Sequence, residues 1–230
     1  MTEDEKPMRT GVFGGTFNPI HTGHLMAARE AVARFCLDRL FFVPCYLPPH
    51  KPATALASAE DRLTMIRLAL PEDDHRYRIS EMEIRRGGPS YTVDTVEAFS
   101  VAYPGDELFL IMGMDAFFEL HTWKRRSRIQ ALAAVVVVSR GVDRTEDKEA
   151  IQDRVKTYLH SRLSADYGRD GTENCWRCAD SALKPVYLFL ADPVDVSSSQ
   201  VRECLVAGRS AAPWLPPAVD DYINKNGLYR

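Results

Sequence analysis

Three features of the chain predict an α/β fold, a doubly wound and mostly parallel sheet with helices on both faces. Short apolar runs alternate with longer helical patterns along the sequence. The clearest short runs, Leu108-Phe-Leu-Ile-Met112 and Ala134-Val-Val-Val-Val138, are apolar at every position. That marks strands covered on both faces, as parallel sheets require. The unusual polar and glycine-rich motifs fall just after the short runs, where ligands bind in open α/β sheets.

Taken in order, strands are expected at Thr10–Phe13, Arg39–Pro44, Tyr77–Glu81, Glu107–Met112, Ala134–Val138 and Pro185–Leu190. Helices are expected at His24–Phe35, Ser58–Leu70, Thr92–Tyr103, Arg126–Ala131, Glu146–Leu163, Ser198–Val206 and Pro217–Asn226. The crossovers between parallel strands should be right-handed. Residues 141–184 read differently. They are charged, contain Gly168 and Gly171, and suggest a variable helical insertion with a loose end. Residues 197–230 form a C-terminal helical part, and the chain, 1–230, is expected to be one domain.

Bulk properties narrow the class. With 45% apolar and 27% charged residues, the composition is that of a globular protein with a full core. A net charge of -3 gives no bulk attraction to nucleic acid or an anionic membrane, so any phosphate site must be built locally. Five cysteines at irregular spacing argue against a disulfide framework and fit a cytoplasmic location. Cys175-Trp-Arg-Cys178 is a lone pair and a weak metal or redox signal. Met1 to Arg9 lacks the apolar core of a signal peptide, and no run approaches the ~20 apolar residues that span a membrane. A homo-oligomer is compatible with these properties.

The loop after the first strand carries the strongest chemical signal. Gly14 and Gly15 allow close approach of the backbone to a phosphate, and Thr16 and Phe17 lead into a polar turn. His21 and His24 follow at a helix start, where i and i+3 share a face, and Gly23 keeps the space between them open. A helix N-terminus with two imidazoles suits an anion, such as a nucleotide phosphate. A tight turn capped by Thr22 would use the same residues. A metal pair would be incomplete, with no carboxylate or cysteine nearby.

The later loops add polar groups. Three prolines in Cys45-Tyr-Leu-Pro-Pro-His-Lys-Pro52 hold His50 and Lys51 at a rigid tip. Ser90 and Thr92 can cap the helix after Tyr91, with Asp94 and Glu97 near its start. Gly113 and Asp115 follow a buried strand, and Trp123 and Lys124 lie in a polar setting just beyond. Arg140 follows Ser139 in the loop position after the valine run. Ser197, Ser198 and Ser199 open a helix, with Arg202 one turn in. A serine N-cap and ordinary packing would account for several of these without a ligand.

Taken together, Gly14-Gly15-Thr16-Phe17-Asn18-Pro19, His21-Thr-Gly-His24, Pro48-Pro-His-Lys51, Ser90-Tyr-Thr92, Gly113-Met-Asp115, Trp123, Val196-Ser-Ser-Ser-Gln-Val-Arg202 and the ending Gly227-Leu-Tyr-Arg230 resemble the bacterial nicotinate-nucleotide adenylyltransferases, within the HxGH nucleotidyltransferase superfamily. The resemblance runs from about Thr10 to Arg230 and weakens across residues 141–184. It implies a Rossmann-like fold and transfer of the adenylyl group of ATP to nicotinate mononucleotide, with Mg²⁺ carried mainly on the ATP phosphates and no metal held by the protein. It implies catalytic roles for His21, His24 and Arg202. It places ATP against Gly14, Gly15, Thr16, Phe17, Gly113, Asp115, Arg140 and Ser197 to Ser199. It places the mononucleotide against Lys51, Tyr91, Thr92, Trp123 and Lys124. Lys51 stands where many relatives carry Arg, and Ser199 where the usual residue is Thr. An adenylyltransferase for phosphopantetheine or nicotinamide mononucleotide, and a catalytically silent nucleotide-binding module, remain as other readings.

Overall fold

The computed structural model describes residues 6–48, 56–140, 148–171, 174–191 and 196–230. An eight-stranded sheet runs through it in the order β3-β2-β1-β4-β5-β8-β7-β6. The strands are β1 (Arg9–Gly15), β2 (Arg39–Pro44), β3 (Tyr77–Ile79), β4 (Glu107–Gly113), β5 (Ala133–Arg140), β6 (Tyr167–Arg169), β7 (Cys175–Cys178) and β8 (Val186–Ala191). From β3 to β8 all neighbours are parallel. The order reverses between β1 and β4, which creates a crevice beyond their carboxyl ends, the usual ligand position in such sheets.

The helices divide between the faces. One face buries α1 (Thr22–Arg34), α2 (Ala59–Ala69), α8 (Ser198–Val206) and α9 (Pro217–Asn226) against Phe13, Phe42, Ile111, Val136, Val138 and Phe189. The other buries α4 (Thr92–Ala102), α5 (Met114–Glu119), α6 (Arg126–Leu132) and α7 (Lys148–Tyr158) against Val12, Val43, Leu110, Val135, Val137 and Leu188. Adjacent valines of β5 therefore enter opposite cores, which is why its sequence shows no alternation. At the amino ends of the strands, Arg39 bonds Asp106 at 2.6 Å and Thr10 Oγ1 at 2.8 Å, and Arg9 pairs with Glu107. These contacts tie β1, β2 and β4 together on the side away from the crevice.

The six expected strands are present, with ends shifted by one or two residues. The short helix α3 (Met82–Arg86) was not expected. The stretch expected as a helical insertion contains α7 and a π turn at Leu159–Leu163, but its described part also supplies β6 and β7. β7 pairs antiparallel with both β6 and β8 and so extends the sheet. Trp176 and Tyr167 anchor this hairpin in the core, and Gln130 Nε2 donates to the Tyr167 hydroxyl at 2.9 Å. Burial pushes the Tyr167 hydroxyl pKa up to about 12. Cys175 is buried and Cys178 half-buried on β7. Among the described residues no helix is long and apolar enough to cross a membrane.

Candidate active site

The β1–α1 loop lies at the crevice because β1 sits between β2 and β4. Gly15 is needed there, since a Cβ would come within 2.9 Å of the Phe17 ring. Phe17 takes a left-handed φ of 48°, a conformation costing a bulky residue about 1–2 kcal/mol. Its ring is buried edge-on against Phe13 at 5.6 Å and His24 at 5.1 Å, which offsets that cost. His21 is the N-cap of α1 and is fully buried, whereas His24, one turn on, is half-buried. Thr22, the alternative cap, is instead the first helical residue. The two imidazole centroids lie 3.8 Å apart. Gly23 permits this, because a Cβ would press on His21 Nδ1 at 3.1 Å and Val196 at 3.2 Å. The His21 amide donates to His24 Nδ1 at 3.3 Å. In the neutral ring that places the proton on Nε2.

The β8–α8 connection grips this loop from a distant part of the sequence. Ser197 caps α8, and its amide donates to Gln200 Oε1 at 2.6 Å while Gln200 N donates to Ser197 Oγ at 3.2 Å. Ser198 Oγ donates to Pro19 O at 2.9 Å. Arg202 Nη1 donates to Asn18 O at 2.8 Å, and Nη2 to Ser199 Oγ at 3.1 Å. Six expected residues, His21, His24, Ser197, Ser198, Ser199 and Arg202, are thereby gathered at one end of the sheet.

A second cluster forms around the start of α4. The expected capping by Ser90 and Thr92 is not what the structure uses. Tyr91 is the N-cap and makes no side-chain cap bond, and Thr92 is the first helical residue. The Ser90 hydroxyl instead accepts the Tyr46 amide at 3.0 Å, and its own amide donates to Leu47 O at 3.0 Å. Ser90 therefore sews this loop to the end of β2, and the first turn of α4 keeps an uncapped positive end. Lys124 Nζ sits 4.4 Å from the centre of the Tyr91 ring and 3.7 Å from Asp94. Trp123, half-buried, packs at the edge of the same core as Tyr91. Arg125 and Arg128 both bond Glu97 and fix this loop to α4. The Arg128 and Arg125 guanidiniums hold the Glu97 carboxyl below its usual range.

Gly113 caps α5 at the end of β4, and Asp115 is exposed in its first turn. Arg140 is the last residue of β5, opposite Ala191. Lys51 lies outside the described residues. Among those described, no group of three or more His, Cys, Asp or Glu is assembled that could hold a metal ion.

Three residues that bind these loops together were given no role from the sequence, although Asn18 and Tyr229 lie in motifs that carry the resemblance. Asn18 Oδ1 accepts from Ala57 N at 3.0 Å and from the Tyr229 hydroxyl at 2.7 Å. Burial pushes the Tyr229 hydroxyl pKa well up. Arg62, on α2, is 1% exposed and reaches the carbonyls of Thr16, Cys45, Tyr46 and Ala57.

The family described as cytidylyltransferase-like matches residues 12–204, from β1 into α8. A protein of Desulfatibacillum aliphaticivorans named probable nicotinate-nucleotide adenylyltransferase is 40% identical over 222 residues, covering 96% of this chain and 100% of its own length. The chain belongs to the cytidylyltransferase-like family, in its nicotinate-nucleotide adenylyltransferase branch. A Thermus thermophilus protein of the same name is 38% identical over 97% of this chain and 100% of its own length. The Plasmodium falciparum nicotinic acid mononucleotide adenylyltransferase solved with NaAD shares the fold, with a TM-score of 0.70 at 17% identity over 96% of this chain and 97% of that one.

Proposed function

We infer that this chain transfers the adenylyl group of ATP to nicotinate mononucleotide, giving deamido-NAD and pyrophosphate in NAD biosynthesis. The observation that carries the reading is the grip of Arg202 and Ser198 on the His21–His24 loop, at the sheet's switch point. It supports a polyphosphate lying between two helix N-termini, those of α1 and α8. Gly14, Gly15, Thr16 and Phe17 would line its path, with Asp115 and Gly113 toward the ribose and Arg140 toward the adenine or phosphates.

The mononucleotide would lie across the β2, β3 and β4 ends. Its nicotinate carboxylate suits the uncapped N-terminus of α4 at Tyr91 and Thr92, where the helix dipole favours an anion. Trp123 would stack on the pyridine ring, Lys124 stands beside Tyr91, and Lys51 would meet the phosphate.

The reaction needs no protein nucleophile. A phosphate oxygen of the mononucleotide attacks the α-phosphorus of ATP, a new P–O bond forms, and the bond to the pyrophosphate oxygen breaks. Catalysis is then positioning and charge stabilisation. His24 donates through Nε2 to the α-phosphate as charge builds, a role suited to the tautomer its Nδ1 contact selects. His21, buried beside it, orders the loop and supports the β-phosphate. The remaining N–H groups of Arg202 and the Ser198 and Ser199 amides hold the departing pyrophosphate, while the Ser197 amide is taken up by Gln200. Mg²⁺ would be carried mainly on the ATP phosphate oxygens, where it would offset their charge, as a hard cation prefers oxygen ligands.

The test is the purified chain with ATP, Mg²⁺ and nicotinate mononucleotide, following deamido-NAD by chromatography, beside His24→Ala. Wild type should form the dinucleotide. His24→Ala should keep its circular dichroism and lose about 10²–10³-fold in kcat. A variant with wild-type kcat would remove His24 from the mechanism.

A further inference from the structure

Arg62 is a buried cation in the middle of the molecule, and the reaction outlined above does not use it. Its guanidinium hydrogen-bonds four backbone carbonyls: Thr16 at 2.9 Å, Cys45 at 2.7 Å, Tyr46 at 3.0 Å and Ala57 at 3.2 Å. Thr16 belongs to the β1–α1 loop. Cys45 and Tyr46 enter the loop that carries Lys51, and Ala57 leaves it. One planar fork therefore spans the polyphosphate loop and both stems of the loop assigned to the acceptor phosphate. Asn18 Oδ1 makes a second link between the same segments through Ala57 N.

We propose that Arg62 is the positioning residue that sets the distance between the two substrate loops, so that one buried guanidinium aligns attacking and reacting phosphates. The carbonyls need a donor of fixed geometry, since four acceptors on three segments must be met at once. Lysine offers a point charge on a flexible stem and cannot span them. The proposal rests on the assignment of those loops to ATP and nicotinate mononucleotide.

The first test is Arg62→Lys, which keeps the charge and loses the fork. With circular dichroism retained, KM should rise about tenfold or more for both substrates, and kcat should fall by up to about a hundredfold. A drop in Tm with both KM values and kcat within about twofold of wild type would make Arg62 merely structural and overturn the proposal. A rise in one KM alone would overturn the shared clamp. The second test uses wild type without substrates, so it is independent of the assignment and of whether the variant folds. The Tyr46 amide bonds Ser90 Oγ and the Ala57 amide bonds Asn18 Oδ1. If Arg62 joins these segments, both amides should open together in hydrogen exchange, with one shared protection factor. Protection factors that differ by more than about tenfold would overturn the clamp. Should wild type form no deamido-NAD while the amides open together, the loop assignment would fail and the clamp would stand.

Discussion

Removing the Arg202 guanidinium by Arg202→Met separates the two functions placed on that side chain. Arg202 reaches Asn18 O at 2.8 Å in a partly buried, charge-assisted bond, and Ser199 Oγ at 3.1 Å in an exposed one. The first is worth about 1.5–3 kcal/mol and the second adds little. A loss near 2 kcal/mol should lower Tm by about 4–8 °C in a chain of this size. The loop would keep its other ties, because Ser198 still holds Pro19 O and Asn18 Oδ1 still meets Ala57 and Tyr229. Loss of a guanidinium–phosphate contact of similar strength should raise the KM for ATP about 10- to 100-fold. The KM for nicotinate mononucleotide should stay within about threefold. The assay is initial-rate pyrophosphate release at saturating co-substrate, with Tm measured on the same preparation. An unchanged ATP KM alongside the Tm drop would show that Arg202 only staples the loop. Equal rises in both KM values would place it in general loop geometry instead.

Two further outcomes follow from the same geometry. Trp123→Ala should raise the KM for nicotinate mononucleotide about tenfold with little change for ATP, reflecting ~1 kcal/mol of stacking plus lost ring burial; equal effects on both would leave Trp123 as a packing residue. Stability should fall as pH rises from about 10 toward 12. The folded-state pKa of Tyr167, about 12, lies above its unfolded value near 10, so the unfolded state releases its proton first. Urea midpoints measured from pH 8 to 11 should decline less steeply in Tyr167→Phe than in wild type, and identical slopes would mean that Tyr167 does not contribute.

The parts of this molecule legible in the sequence are those whose causes are local or periodic. Val135 to Val138 had to be a strand covered on both sides, and each valine is buried. Ser197 to Ser199 mark a helix start, and α8 begins at Ser198. The HTGH loop announced its chemistry because glycines, histidines and a strand-to-helix switch coincide. Other features depend on partners far along the chain. β6 and β7 are three and four residues long and are strands only because β8 offers an edge. Ser90 looked like a cap, but in the folded chain its hydroxyl accepts the Tyr46 amide, 44 residues away in sequence. Arg62 did leave a trace. It shares the α2 face of Met65, Ile66 and Ala69, and an arginine on an apolar stripe signals a buried cation. Its partners are main-chain carbonyls, which carry no residue-type signature, so the sequence alone could not name them.

The central claim is that the chain adenylylates an acidic pyridine mononucleotide at a site whose acid end is the N-terminus of α4. The most direct measurement is kcat/KM with nicotinate mononucleotide against nicotinamide mononucleotide, at fixed ATP and Mg²⁺. The carboxylate gains the helix dipole and charge-assisted N–H bonds that the carboxamide does not. Deamido-NAD should be the product, with a preference for the acid of about tenfold or more. Equal rates with the two acceptors, or no dinucleotide from the acid, would contradict it.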